Sequence, residues 1–285
     1  MTRFTLTALL LLATLACFTT ACQQKDPAST GNALPKILVL IEEPQYWYKE
    51  GYFDESDEKE FFAMLDAMPG LTYDRAEIPK DMHLLAPGLE KKYAAILSYD
   101  QNHHHRRKDD QGRILVTDEH LANFEKLMQN GMPLLVLHRS VGSYPKWTTY
   151  REIAGGAFIF PGAVPFYKDL DGRDWPQSEY IHDVEMNIIV ADKDHPITQG
   201  IEDFVIHDEV YQAIYVKPDV HVLLTTDYPG ATPPVAWVHR YRNSPVFTFI
   251  QGHDKQAFTD ENFQRIVRQG IFWLIAEKDQ VKNAE

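Results

Sequence analysis

Histidines and carboxylates recur directly after runs of apolar residues, and that placement is chemically informative. Leu137 is followed by His138-Arg139-Ser140, and Ile250 by Gln251-Gly252-His253-Asp254. Ser98 leads into Asp100 and the run His103-His104-His105-Arg106-Arg107, and Ile41 into Glu42, Glu43 and Tyr46-Trp47-Tyr48. If the apolar runs are parallel strands, these residues lie at the carboxyl ends of the sheet, where open α/β folds bind their ligands. His138 then occupies the strand–turn–helix position at which many α/β enzymes expose a nucleophile, here filled by an imidazole. The alternative is a histidine that only hydrogen-bonds at a strand end. Ser140 sits in an imperfect G-x-S-x-G whose first glycine is replaced by His138, which disfavours a serine nucleophile at a sharp turn. The three adjacent histidines 103–105 must point in different directions, and the charged residues after them read as a solvated loop. Trp47 and Tyr48 offer rings for stacking on a sugar, or for closing the end of the sheet.

Thiol chemistry is excluded from the body of the chain. The two cysteines are Cys17 and Cys22, so any catalysis beyond them relies on His, Asp, Glu, Ser, Tyr, Lys or a metal held by nitrogen and oxygen. With 28 basic against 41 acidic residues and a net charge of −13, the surface disfavours nucleic acid and anionic lipid as partners.

The elements that must position these groups follow from apolar patterning. Lys36–Ile41, Tyr93–Ser98 and Met132–Leu137 read as buried strands, and Leu71–Ile78 as a weakly alternating one. A helix capped by Ser56 carries Phe61, Phe62, Leu65 and Met68 on one face and stops at Pro69-Gly70. A second, capped by Thr117, turns Leu121, Phe124, Leu127 and Met128 inward and closes at Asn130-Gly131. Residues 139–215 read as a loop-rich elaboration. Strands return at Val220–Thr226, Val235–His239 and Val246–Ile250, the last two joined through Asn243-Ser244. A closing helix after Thr259 carries Phe263, Ile266, Val267, Gly270, Ile271 and Leu274 at helical spacing. This order implies one α/β domain, residues 36–277, with a mostly parallel sheet, helices on both faces and a loop-rich insertion in its second half. Residues 278–285 read as a polar tail.

The N-terminus reads as an export signal. Arg3 precedes an apolar core from Leu6 to Leu15, shorter than the roughly 20 residues a spanning helix needs. Ala21-Cys22 and the polar tether 23–35 follow, a pattern of lipoprotein processing with Cys22 as the lipidated residue. The expectation is an exported protein, periplasmic or on the outer surface, whose membrane contact is a lipid anchor.

Three segments together resemble the trehalose-utilisation, or ThuA-like, family. They are Leu137-His138-Arg139-Ser140 with Trp147-x-x-Tyr150-x-x-Ile153-x-Gly155-Gly156-x-Phe158; His195-Pro196-Ile197-Thr198-x-Gly200-Ile201 leading to Asp208-Glu209-x-Tyr211; and Pro234-Val235-Ala236-Trp237 through Gly252-His253-Asp254 to Phe272-Trp273. The resemblance implies a flavodoxin-like fold similar to class I glutamine amidotransferases, with His138 in the region of their cysteine. Glutamine hydrolysis through a thioester is therefore excluded. Members often carry a histidine soon after the first strand, where this chain has Tyr46-Trp47-Tyr48. Carried over, the resemblance implies catalytic roles for His138, Asp208, Glu209 and His253, with His182 and Tyr211 nearby. Arg139, Trp47, Tyr48 and Tyr211 are the expected substrate-binding residues. His138, His182 and His253 are the implied ligands if a divalent metal, zinc or manganese, is used. It implies an enzyme acting on a glycoside or keto-glycoside by acid–base chemistry. The other reading is a tethered carbohydrate-binding protein without turnover.

Overall fold

The computed structural model describes residues 33–47 and 54–284, and from Leu34 onward they belong to one compact unit. Cys22 and Tyr48 lie outside the described residues, as does the side chain of Trp47.

The strands are β1 (Lys36–Glu42), β2 (Thr72–Ile78), β3 (Ile96–Tyr99), β4 (Leu134–Leu137), β5 (Gly156–Ala157), β6 (Glu179–Val190), β7 (Phe204–Gln212), β8 (Tyr215–Val216), β9 (His221–Thr226), β10 (Pro234–Tyr241) and β11 (Ser244–Phe249). The α-helices are α1 (Pro44–Trp47), α2 (Glu55–Asp66), α3 (Asp118–Gln129), α4 (Thr148–Ala154), α5 (Lys255–Thr259) and α6 (Glu261–Ala284). Nine strands form one mixed sheet in the order β2-β1-β3-β4-β11-β10-β9-β6-β7. The first five run parallel, and β10, β9, β6 and β7 extend the sheet antiparallel. β5 and β8 make a separate small ladder.

The uninterrupted apolar runs account for the parallel half. β3 and β4 are buried at every position and β1 at all but its first, as strands covered on both faces must be. Side-chain alternation places helices on opposite faces. Trp237 pairs with Thr248, and both donate to the Ala154 carbonyl at the end of α4, at 3.0 and 2.7 Å. The neighbouring Phe247 points the other way, directly against Gly270 of α6. A Cβ on Gly156 would stand 2.6 Å from the Trp237 ring, so the Gly155-Gly156 pair is what lets β10 and the end of α4 meet.

Thr117 caps α3 in a reciprocal box with His120. The cap of α2 is Asp54 rather than Ser56: its carboxylate takes the Ser56 and Asp57 N–H groups, and Asp57 returns a bond to the Asp54 N–H. The stretch expected to be loop-rich contains the long β6–β7 hairpin, although residues 158–178 before it are largely irregular. α6 runs past residue 277 to Ala284, with Lys278 donating to the Glu90 and Tyr93 carbonyls at 2.8 Å each. His195-Pro196 and Gly200 (φ 71°) shape a turn, and the Arg265 guanidinium donates to the Gly200 carbonyl.

Candidate functional site

A cavity of about 440 Å³ opens at the carboxyl ends of the parallel strands, with His138, Glu209, His253 and His182 on its wall. His138 follows β4 with φ 48°, a left-handed turn that aims its ring off the strand end and starts a tight helical turn through Gly142. Its Nδ1 lies 3.0 Å from the Ile250 carbonyl and so carries the proton, leaving Nε2 as the acceptor that faces the cluster. Burial holds its pKa well below the ordinary value, and charge on His253 adds to the effect, so His138 is neutral at physiological pH.

His253 comes from the turn after β11. Its Nδ1 stands 2.6 Å from Glu209 Oε2 and 3.2 Å from His138 Nε2. Burial opposes charge on His253, but the Glu209 carboxylate outweighs it and its pKa rises above the ordinary value. Glu209 Oε2 also lies 3.4 Å from His182 Nδ1 and 3.8 Å from His138 Nε2. One buried carboxylate oxygen therefore serves three imidazoles.

A β-bulge delivers this arrangement. Ile181 pairs with Val210 and Val184 with Asp208, so His182 and Asp183 together oppose Glu209, and Asp183 takes φ 54°. The bulge lets Tyr180 and His182 share the cavity face with Glu209 and Tyr211, while Val184 and Met186 share the opposite face with Asp208 and Ile206.

The Tyr211 ring stacks on His138 at 5.3 Å between centroids and 14° between planes. Asp208 is placed differently from its neighbour. It does not line the cavity: Oδ2 accepts from the Gly252 N–H (2.7 Å) and Gln251 Nε2 (3.1 Å), and Oδ1 from the His253 N–H (2.9 Å). Burial pushes its pKa up to about 6 against the lowering effect of the Gly252 and His253 N–H groups.

Arg139 lines the cavity with its guanidinium 2.9 Å from Glu42 Oε2, and Glu42 Oε1 lies 3.1 Å from His104 Nε2. The histidine run splits three ways. His104 turns inward beneath the Tyr46 ring, His103 lines the cavity edge-on to Phe160, and His105 pairs outward with Asp118. Ser140 is fully buried and its hydroxyl donates to the Asp100 carbonyl, which leaves it no nucleophilic role.

Sequence reasoning missed most of the aromatic wall. Phe158, Phe160 and Tyr180 line the cavity, together with Gln101, Gln177 and Ser178. Phe158 ends the Gly155-Gly156-x-Phe158 segment and Tyr180 lies two residues before His182 on one strand, and those spacings are the signals that point to them. The cluster's donors also fit a cation. One atom each from His138, Glu209 and His253 lies within 4.8 Å of the others, a nitrogen and oxygen set of the kind that holds zinc or manganese.

The model of the ThuA family, described as trehalose utilisation, matches residues 47–274. The chain belongs to that family. Among solved structures it is similar to a ThuA-like protein from Parabacteroides merdae, with TM-score 0.63, 17% identity, and coverage of 86% of this chain and 90% of that one. A ThuA-like protein from Bacteroides uniformis gives TM-score 0.60 at 18% identity, covering 87% and 95%. A β-galactosidase from Bacillus circulans sp. alkalophilus gives TM-score 0.51 at 12% identity, covering 87% of this chain and 31% of the enzyme. At these identities the likenesses establish the shared α/β fold. No curated protein sequence matches the chain.

Proposed function

We propose that the cavity is the active site of an exported carbohydrate enzyme acting on a glycoside or its 3-keto derivative by acid–base chemistry. The observation that carries this reading is the convergence of Glu209 on three imidazoles, 2.6, 3.4 and 3.8 Å away, at one wall of an aromatic-lined cavity. The family's description as trehalose utilisation supports a carbohydrate ligand. So does the charge balance: Arg139 is matched by Glu42 and His253 by Glu209, which suits a neutral polyhydroxylated molecule.

A 3-keto group acidifies the neighbouring C2–H. Glu209, backed by His253, takes that proton; the C2–H electron pair forms a C1–C2 double bond, and the C1–O bond breaks. The departing oxygen receives its proton from an imidazole of the cluster, with His182 the most exposed of the three. Tyr211 and Arg139 orient the sugar, and Phe158, Phe160 and Tyr180 flank it. A divalent ion, if used, would be held by His138 Nε2, Glu209 and His253 Nδ1, with His182 beside them, and would polarise the substrate carbonyl. Export and tethering through Cys22 complete the proposal, supported by the apolar core and Ala21-Cys22 junction of the leader.

The test is release of 4-nitrophenol from 4-nitrophenyl glucosides and their 3-keto derivatives, with metal content of the purified protein measured in parallel. Glu209→Gln, His138→Ala and His253→Ala should remain folded and each lose about two to four orders of magnitude in turnover. Saturable sugar binding without release from any of these compounds would move the assignment to a carbohydrate-binding protein.

A further inference from the structure

Tyr99 ends β3, is fully buried and does not line the cavity, yet it touches both halves of the His138–His253 pair. Its ring lies 6.3 Å from the His138 ring, and its hydroxyl donates to the Gly252 carbonyl at 2.7 Å, with the His253 carbonyl at 3.2 Å. The ring cannot drift. It stacks on Phe61 of α2 (4.6 Å, 19°) and meets Phe258 of α5 edge-on (5.8 Å, 78°). The turn it holds has little freedom of its own: Gly252 has φ 113°, and a Cβ there would stand 2.8 Å from Phe263. Asp208 grips the N–H groups of residues 252 and 253 from β7, and Asp57 of α2 takes the Lys255 N–H at 3.1 Å.

From this geometry we infer that Tyr99 is a positioning residue whose hydroxyl holds the 252–253 backbone from the carbonyl side, so setting the distance from His253 to both His138 and Glu209. The inference rests on the acid–base reading for its effect on turnover, but not for its effect on His253 itself. The hydroxyl makes the hydrogen bonds to the turn, whereas the ring packs against Phe61, Phe258 and His138. The two contributions are therefore separable by substitution.

The experiment compares the wild-type protein with Tyr99→Phe and Tyr99→Leu by imidazole 15N–1H correlation NMR, assigned through His138→Ala and His253→Ala, and by thermal unfolding. Tyr99→Phe should shift the His253 ring signals, move those of His138 less, through their 3.2 Å contact, and change Tm by no more than about 4 °C. Tyr99→Leu should disturb both rings. On whichever 4-nitrophenyl compound the wild type turns over, Tyr99→Phe should lower kcat about 10- to 100-fold with KM little changed, the cost of misplacing a reacting group by about an ångström. Unchanged His253 signals in Tyr99→Phe would overturn the inference. So would equal shifts of both rings with a large fall in Tm, which would make Tyr99 a packing residue. If the wild type turns over none of the compounds, the acid–base reading fails, while the His253 signals still decide the role of Tyr99.

Discussion

Replacing Asp208 by asparagine sets two effects of similar size against each other. The carboxylate is almost fully buried and its pKa is pushed from 3.8 to about 6, so keeping it ionised above that pH costs about 3 kcal/mol at 1.36 kcal/mol per unit. The amide removes that cost. It also supplies one oxygen where the carboxylate supplied two. The oxygen best replaces Oδ2, which serves two donors, and the amide nitrogen then faces the His253 N–H at the former Oδ1. Leaving that buried donor unpaired costs about 1–3 kcal/mol.

The balance depends on pH with a definite sign. A carboxyl whose pKa is raised by folding contributes most below its unfolded value, and the contribution is lost as pH rises through about 6. Asp208→Asn should therefore match the wild type within about 2 kcal/mol at pH 7.5, yet be less stable by up to about 2 kcal/mol at pH 4.5, where the folded carboxyl is mostly protonated and part of the linkage cost has gone. Urea unfolding at the two pH values measures this directly. Turnover should fall at both, because His253 loses the bond that fixes its N–H. A variant more destabilised at pH 7.5 than at pH 4.5 would refute the burial argument, and unshifted His253 ring signals would refute the positioning one.

Two further outcomes are expected. Asp183→Gly should be neutral or slightly stabilising at φ 54°, whereas Asp183→Val should cost about 1–2 kcal/mol by urea unfolding and displace His182, read from its ring signals. Cys22→Ser should move the protein from the membrane to the soluble fraction, and mass spectrometry of the wild-type N-terminus should show a lipid adduct on Cys22; a wild-type chain beginning at an unmodified Gln23 would refute the anchor.

The parallel half of the sheet was legible because burial on both faces leaves an unmistakable signature: continuous apolar runs at Lys36–Ile41 and Met132–Leu137 with helix caps between them. His138 and His253 could be picked out for the same reason, since His138 directly follows such a run and His253 follows Val246–Ile250 after Gln251-Gly252. The β6–β7 hairpin was harder to see. Tyr180 and His182 face the cavity, Val184 and Met186 the core, and the bulge at Asp183 separates two stretches whose even-numbered residues face opposite ways. Single-sequence alternation averages those halves into a loop. Asp208 and Glu209 came through the resemblance as a pair, and only three-dimensional packing separates them, Glu209 facing the imidazoles and Asp208 the backbone of the next turn. Tyr99 gave no signal, because its chemistry is one hydroxyl at the end of an apolar strand.

The pairing of His138 with His253 explains how two identical side chains 3.2 Å apart can do different work. Two protonated imidazoles at that distance would repel, and the fold removes the conflict by treating them unequally. His138 is sealed behind Tyr211 with its Nδ1 proton committed to the Ile250 carbonyl, so burial depresses its pKa and it presents a lone pair. His253 is more exposed and has Glu209 at 2.6 Å, so its pKa is raised and it presents a proton. Environments that drive neighbouring titratable groups apart in this way are what assign donor and acceptor in acid–base sites. Glu209 is the element on which the division depends. Without its charge, only the deeper burial of His138 and the carboxylates of Asp208 and Asp254 would favour protonation of His253 over His138, and the site would lose much of its polarity before it lost its shape.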